Sequence, residues 1–122
     1  MTRPMLAVQS LSPEVDKAMN RFHTDVVKAV SQAVEKEQVV VVGMSLNPFV
    51  KKATSTLTKA GVEFKYLEYG GYFTQWKQRL AIKLWSGWPT FPQVFVRGVL
   101  IGGANDTIKA LEDGSFKKLL SK

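Results

Sequence analysis

Two prolines separated by two residues constrain the fold of this chain more than any other feature of its sequence. They are Pro89 and Pro92, in the stretch Gly-Trp-Pro-Thr-Phe-Pro-Gln at residues 87–93. Each proline fixes φ and removes an amide donor, so this stretch cannot be helical. The residue before a proline is pushed toward extended geometry, which applies to Phe91. We therefore predict a turn that presents its main chain to an extended, peptide-like ligand.

An alternation of apolar strands and helices surrounds this turn. Residues 94–101 are apolar on both sides of Arg97-Gly98, where we expect a tight hairpin reversal. Residues 38–43 form a continuous β-branched run, which is typical of a central strand buried on both faces. A helix that begins at Asn47-Pro48 and a strand within 62–68 follow this run and predict a right-handed parallel unit.

The remaining helices are predicted from their starts and their periodicity. Ser12-Pro13-Glu14 is a helix start, with serine as the N-cap and proline at the first helical position. Apolar residues then recur at three- and four-residue spacing to about Lys36, which predicts one long amphipathic helix. We expect a further helix from about Thr74 to Trp85, and a last one capped by Asn105 or Asp106.

Length and charge limit the organisation of the chain and its partners. With 122 residues, we expect a single domain over 13–122 after an N-terminal tail at 1–12. The net charge of +7 comes from scattered lysines and arginines without a nucleic-acid motif, so we do not expect a nucleic-acid partner. No segment resembles a signal peptide or a membrane span, so we expect a cytoplasmic protein without a membrane partner.

The motif Trp-Pro-Thr-Phe-Pro-Gln at 88–93, the hairpin and the sequence Ile-Gly-Gly-x-x-Asp at 101–106 resemble a known family. From about Val39 to Leu120 the chain is similar to the monothiol, Trp-Pro-containing branch of the glutaredoxins. The resemblance implies an α/β, thioredoxin-like fold, a four-stranded mixed sheet flanked by helices, here with an extra N-terminal amphipathic helix. It also implies a cis peptide bond before Pro92, facing the active-site cysteine.

The cysteine itself is absent, because the chain contains no cysteine at all. Where the family has Cys-x-x-Cys or Cys-Gly-Phe-Ser, this chain reads Asn-Pro-Phe-Val, so Asn47 takes the nucleophile position and Val50 the resolving position. Thiol–disulfide exchange needs a thiolate, whereas asparagine is a neutral helix N-cap. We therefore expect a redox-inactive protein with no catalytic residue, no metal site and no iron–sulfur cluster, and we lean against an enzyme.

The rest of the glutathione site is implied by the resemblance. In the family the backbone before the cis-proline, here Phe91, pairs with the cysteinyl part of glutathione. The turn at 104–106 holds the γ-glutamyl carboxylate on helix amides, as helix N-termini can. The ligand-binding residues predicted in this way are Asn47, Lys83, Trp88, Phe91, Pro92, Ala104, Asn105 and Asp106.

Two of these assignments leave alternatives open. Met44 stands where the family usually has a lysine for the glycine carboxylate of glutathione, and Lys83 is the candidate that would replace it. Trp88 either forms one wall of the glutathione cleft or fills the edge of the core beside Trp85.

Two functions from different classes remain at this point. The first is a weak binding module for glutathione or a peptide, which requires no cofactor and performs no chemistry. The second is an interaction or adaptor domain whose cleft is vestigial, with an unknown protein partner. That partner would dock on the basic surface or on the aromatic loop that carries Tyr69, Tyr72, Phe73 and Trp76.

Overall fold

A four-stranded mixed sheet forms the centre of the computed structural model, which describes residues 3–122. Its strands, β1 (Val39–Gly43), β2 (Lys65–Glu68), β3 (Gln93–Val96) and β4 (Val99–Gly102), lie in the order β2-β1-β3-β4. β1 runs parallel to β2 and antiparallel to β3, and β3 pairs antiparallel with β4. The predicted mixed sheet is therefore present, with the β-branched run in its middle.

Helices cover both faces of this sheet. They are α1 (Pro13–Arg21), α2 (Thr24–Lys36), α3 (Pro48–Lys59), α4 (Trp76–Ser86), α5 (Ala104–Asp113) and α6 (Ser115–Leu120). Val40 and Val42 of β1 pack in one core cluster with α2 and α4 residues, whereas Val39 and Val41 pack in a second one with Leu57 and Phe116. Because successive side chains of a strand point to opposite faces, β1 joins the two layers.

The prediction of one long helix over residues 13–36 is wrong, because the chain breaks at Phe22 and His23. Phe22 has ψ of 101° and His23 has a left-handed φ of 47°, so the helical hydrogen-bond pattern stops and restarts at Thr24. The rings of Phe22 and His23 pack edge to face, with centroids 4.8 Å apart.

The break separates a packed helix from an unpacked one. In α2, Val30 and Val34 are buried in the core, as the apolar stripe predicts. In α1, the stripe residues Val15 and Met19 are exposed. The amphipathic helix that packs on the sheet is therefore α2 alone.

The predicted N-terminal tail contains a short ordered turn. Residues Val8–Ser10 form a single turn of 3-10 helix, and the guanidinium of Arg3 lies against Gly87. Met1 and Thr2 of the predicted tail lie outside the described residues. Within residues 3–122, none of the helices combines the length and the apolar character that crossing a membrane requires.

Candidate functional site

Asn47 stands at the start of α3 and caps it with its side chain. Its Oδ1 accepts hydrogen bonds from the backbone amides of Phe49 at 2.9 Å and Val50 at 3.1 Å. Pro48 follows at the first helical position, where its missing amide costs no hydrogen bond. The half-buried carboxamide therefore accepts hydrogen bonds from the two backbone amides that could otherwise bind an anion at the start of α3.

Val50, at the resolving position, belongs to the core. It is 5% exposed and packs in the cluster that also contains Phe91. A Cβ built on Gly43 would lie 2.7 Å from its Cγ1, so the missing side chain of Gly43 lets α3 approach β1. The position thus offers a methyl surface and no polar atom.

The loop before β3 places Phe91 in the same core cluster as Val50 of α3. The Phe91–Pro92 peptide bond is cis. The sheet register between β1 and β3 begins with Val42 and Gln93, so Phe91 lies just outside the ladder. The Nζ of Lys83 lies 5.7 Å from the centroid of the Phe91 ring, which brings one cation of α4 to this loop.

Trp88 lies where the Trp-Pro loop meets the start of α5. A Cβ built on Gly103 would lie 3.8 Å from Trp88 Nε1 and 3.5 Å from the carbonyl oxygen of Pro92. The Nε2 of Gln93 donates to the carbonyl oxygen of Trp88 at 3.1 Å and ties the loop to β3. Trp85 instead packs on Phe95, with ring centroids 5.9 Å apart.

The last predicted subsite, the start of α5, begins earlier than its sequence suggests. Gly103 is the N-cap and Ala104 the first helical residue, so Asn105 and Asp106 lie inside the first turn. The carboxylate of Asp106 reaches back and accepts from the amide of Gly103 at 2.9 Å. The first intrahelical bond runs from the amide of Thr107 to the carbonyl of Gly103, so the amides of residues 104–106 point out of the helix end.

Lys52 was not among the predicted site residues, but the structure places it beside this helix end. Its Nζ donates to Oδ1 of Asn105 at 3.4 Å, across the contact between α3 and α5. The sequence signal was the Lys51-Lys52 pair in the first turns of α3, but only tertiary packing decides which lysine reaches α5. Lys83 thus lies beside Phe91 and Lys52 beside Asn105. The region between Phe91 and Asn105, where the resemblance implies the glutathione site, is called the groove below.

A cavity of about 620 Å³ lies on the other flank of Asn47, between α3 and β2. Its lining includes Met44, Lys51, Tyr66 and Glu68, but neither Phe91 nor the start of α5. Met44 is 8% exposed and packs in the core, so it cannot replace the lysine that the family has at this place. Within residues 3–122, no group of three or more histidine, aspartate and glutamate side chains is arranged to hold a metal ion.

Tyr66, which lines this cavity, and Tyr69, which follows β2, both have raised pKa values. Burial raises the pKa of Tyr66, and its 2.9 Å hydrogen bond to Glu68 and the charge of Glu68 raise it further. The pKa of Tyr69 is raised by burial and by Asp25. A raised pKa in the folded state means that stability is complete below the unfolded value of about 10 and is lost above it.

We therefore expect the free energy of unfolding to fall as the pH rises above about 10. Replacing Tyr66 with phenylalanine should make this fall shallower. Urea denaturation between about pH 8 and about pH 11 measures the slope, with Tyr72→Phe as the control because Tyr72 is 58% exposed. An equally steep fall in Tyr66→Phe and in the parent protein would contradict the assignment.

Comparison with known proteins decides the family. The glutaredoxin family model matches residues 39–101. A glutaredoxin-like protein of Dictyostelium discoideum is 50% identical over 108 residues, which is 88% of this chain and 88% of the relative. The chain belongs to the glutaredoxin family.

Solved glutaredoxin structures share the fold. Wheat glutaredoxin is 29% identical with a TM-score of 0.70, covering 81% of this chain and 92% of that one. A buckwheat glutaredoxin–glutathione complex is 20% identical with a TM-score of 0.71, covering 80% and 89%, and shows the fold alone. The family and the thioredoxin-like fold inferred from the motifs are thus confirmed. This glutaredoxin departs from the motif at Asn47, because it has no cysteine.

Proposed function

We propose that this glutaredoxin-like protein binds glutathione, or a peptide in its place, weakly and without thiol chemistry of its own. The proposal rests on one observation. The amides at the start of α5 are open, while the carboxamide of Asn47 caps α3 where the nucleophile would stand.

The groove has a complementary group for each end of glutathione. Carboxylates bind readily at helix N-termini, and the amides of residues 104–106 point out of α5. The carboxylate of Asp106 can also accept a hydrogen bond from the γ-glutamyl ammonium. Lys52 adds a cation at this end, and Lys83 adds one near Phe91 for the glycine carboxylate.

The weak affinity follows from what the groove lacks. Met44 supplies no cation, and each carboxylate contact at a helix end contributes only about 0.3–1 kcal/mol. A millimolar dissociation constant corresponds to about 4 kcal/mol, which a few such contacts can provide. Because no cysteine is present, we also propose that the protein neither reduces disulfides nor ligates an iron–sulfur cluster.

A glutathione titration followed by NMR of the labelled amides tests the binding. We expect shifts at Phe91, Asn105 and Asp106 with millimolar half-saturation, and none at Lys118 on α6. Replacing Lys52 with alanine should weaken the binding a few-fold, whereas Lys118→Ala, at another exposed lysine, should leave it unchanged. If glutathione at tens of millimolar moves no amide in the groove, the binding proposal is wrong.

A mixed-disulfide reduction assay tests the redox part separately. The expected rate equals that of the blank, and turnover above it by a preparation free of reductases would overturn the redox-inactive assignment.

The adaptor role remains the second candidate function, because apolar side chains such as Phe73 are almost fully exposed, at 98%. A cytoplasmic location remains part of the proposal, and cell fractionation with an antibody against the protein would test it.

A further inference from the structure

The outer face of α4 carries an apolar row that remains partly exposed within residues 3–122. Trp76, Leu80 and Leu84 are 57%, 37% and 67% exposed. They are spaced four residues apart, so they lie on one face of the helix and span about 12 Å along its axis. We call these three residues the α4 stripe. Ala81 and Ile82 are buried on the core side of α4, so the exposed part of the stripe faces away from the core.

Positive charges border the α4 stripe on both sides. At about 100° per residue, Lys77 and Lys83 fall on opposite edges of the stripe. The Nζ of Lys77 lies 5.6 Å from the centroid of the Trp76 ring, and Lys83 reaches toward Phe91. The sequence of α4, Trp-Lys-Gln-Arg-Leu-Ala-Ile-Lys-Leu-Trp-Ser, contains no acidic residue that could balance them.

The start of α4 adds to this positive potential. Its N-cap residue, Gln75, has a left-handed φ of 55° and makes no side-chain capping bond, and the first turn contains no acid. The positive end of the helix dipole is therefore uncompensated. Arg79 brings a further positive charge to this end of α4, where its buried guanidinium donates to the carbonyl oxygens of Tyr69 at 2.9 Å and Thr74 at 2.6 Å.

We propose that the α4 stripe docks an amphipathic helix of a partner protein whose apolar face is bordered by acidic residues. Three apolar side chains over two helical turns match the i, i+4 anchors that such a helix presents. The two lysines and the uncapped helix start select acidic neighbours. A second copy docked stripe to stripe would instead bring its own Lys77 and Lys83 against the same charges. The inference does not depend on glutathione binding.

Two synthetic helical peptides test the proposal on the full-length protein. Both are about four turns long with leucines at i, i+4 and i+8. One carries glutamates beside the leucines and the other carries lysines in the same places. We expect the acidic peptide to shift the amides of α4, and to bind more tightly than the basic one by roughly tenfold or more. Equal binding of both peptides, or shifts that avoid α4, would overturn the proposal.

Two variants and one control locate the contact. Leu84→Glu should reduce the affinity for the acidic peptide by roughly tenfold or more, and Lys77→Glu should reduce the preference for the acidic over the basic peptide. Val99→Glu is the matched control, because Val99 is 47% exposed on β4, and should change neither. Circular dichroism of each variant verifies the fold. If Leu84→Glu binds like the control variant, the α4 stripe is not the docking surface.

Discussion

Replacing Asn47 with cysteine is expected to give a thiol whose pKa lies about one unit below the free value of about 8.5. The amides of Phe49 and Val50, which now donate to the carboxamide of Asn47, would face the sulfur instead. The dipole of α3 favours the thiolate in the same direction. Its thiolate should also attack oxidised glutathione, forming a mixed disulfide and releasing one molecule of reduced glutathione, and no second thiol of the chain can resolve that disulfide.

The rate of alkylation as a function of pH measures this pKa directly. Leu46→Cys is the matched control, since Leu46 precedes Asn47, is 91% exposed and accepts none of the helix amides in the structure. Its thiol should titrate near the free value. Identical profiles for the two cysteines would show that the start of α3 does not lower a thiol pKa.

Replacing Gly102 with alanine is expected to have the largest effect on stability, a loss of about 2–4 kcal/mol. Gly102 has φ of 116°, which alanine rarely adopts, and a Cβ there would lie 2.5 Å from Oδ2 of Asp106. The alanine would therefore strain the backbone and push away the carboxylate that bonds to the amide of Gly103. Both effects act on the start of α5, so glutathione binding should weaken as well.

Gly61→Ala separates the two effects. Gly61 also has a positive φ, of 74°, but a Cβ there would have no atom within 4 Å. Urea denaturation of both variants gives the two losses of free energy, and their difference reports the contact with Asp106. If Gly61→Ala is as destabilised as Gly102→Ala, the contact with Asp106 contributes nothing measurable.

Features encoded by local sequence could be predicted. Residues 39–42 are β-branched and form the central strand, and Asn47-Pro48 starts a helix because its cap depends only on the next few amides. The hairpin reverses at Arg97-Gly98, where both residues have positive φ. These elements define the central strand, the start of α3 and the turn between β3 and β4.

Features that depend on packing between distant segments were missed. The apolar periodicity continues across Phe22 and His23, and only the core decides that α2 packs and α1 does not. The bond from Lys52 to Asn105 spans 53 residues of sequence. For the same reason the apolar periodicity of α4 indicated a helix but not that Trp76 and Leu84 remain exposed.

The proline that follows Asn47 also affects whether the asparagine can deamidate. An asparagine usually deamidates when the backbone nitrogen of the next residue loses its proton and attacks the side-chain carbonyl carbon. Ammonia leaves, and a five-membered succinimide ring forms. The nitrogen of Pro48 has no hydrogen to give up. The carboxamide is in addition held by two backbone amides at the start of α3. This route to a charged aspartate is therefore closed at Asn47, so the cap of α3 is protected from the commonest chemical change of asparagine.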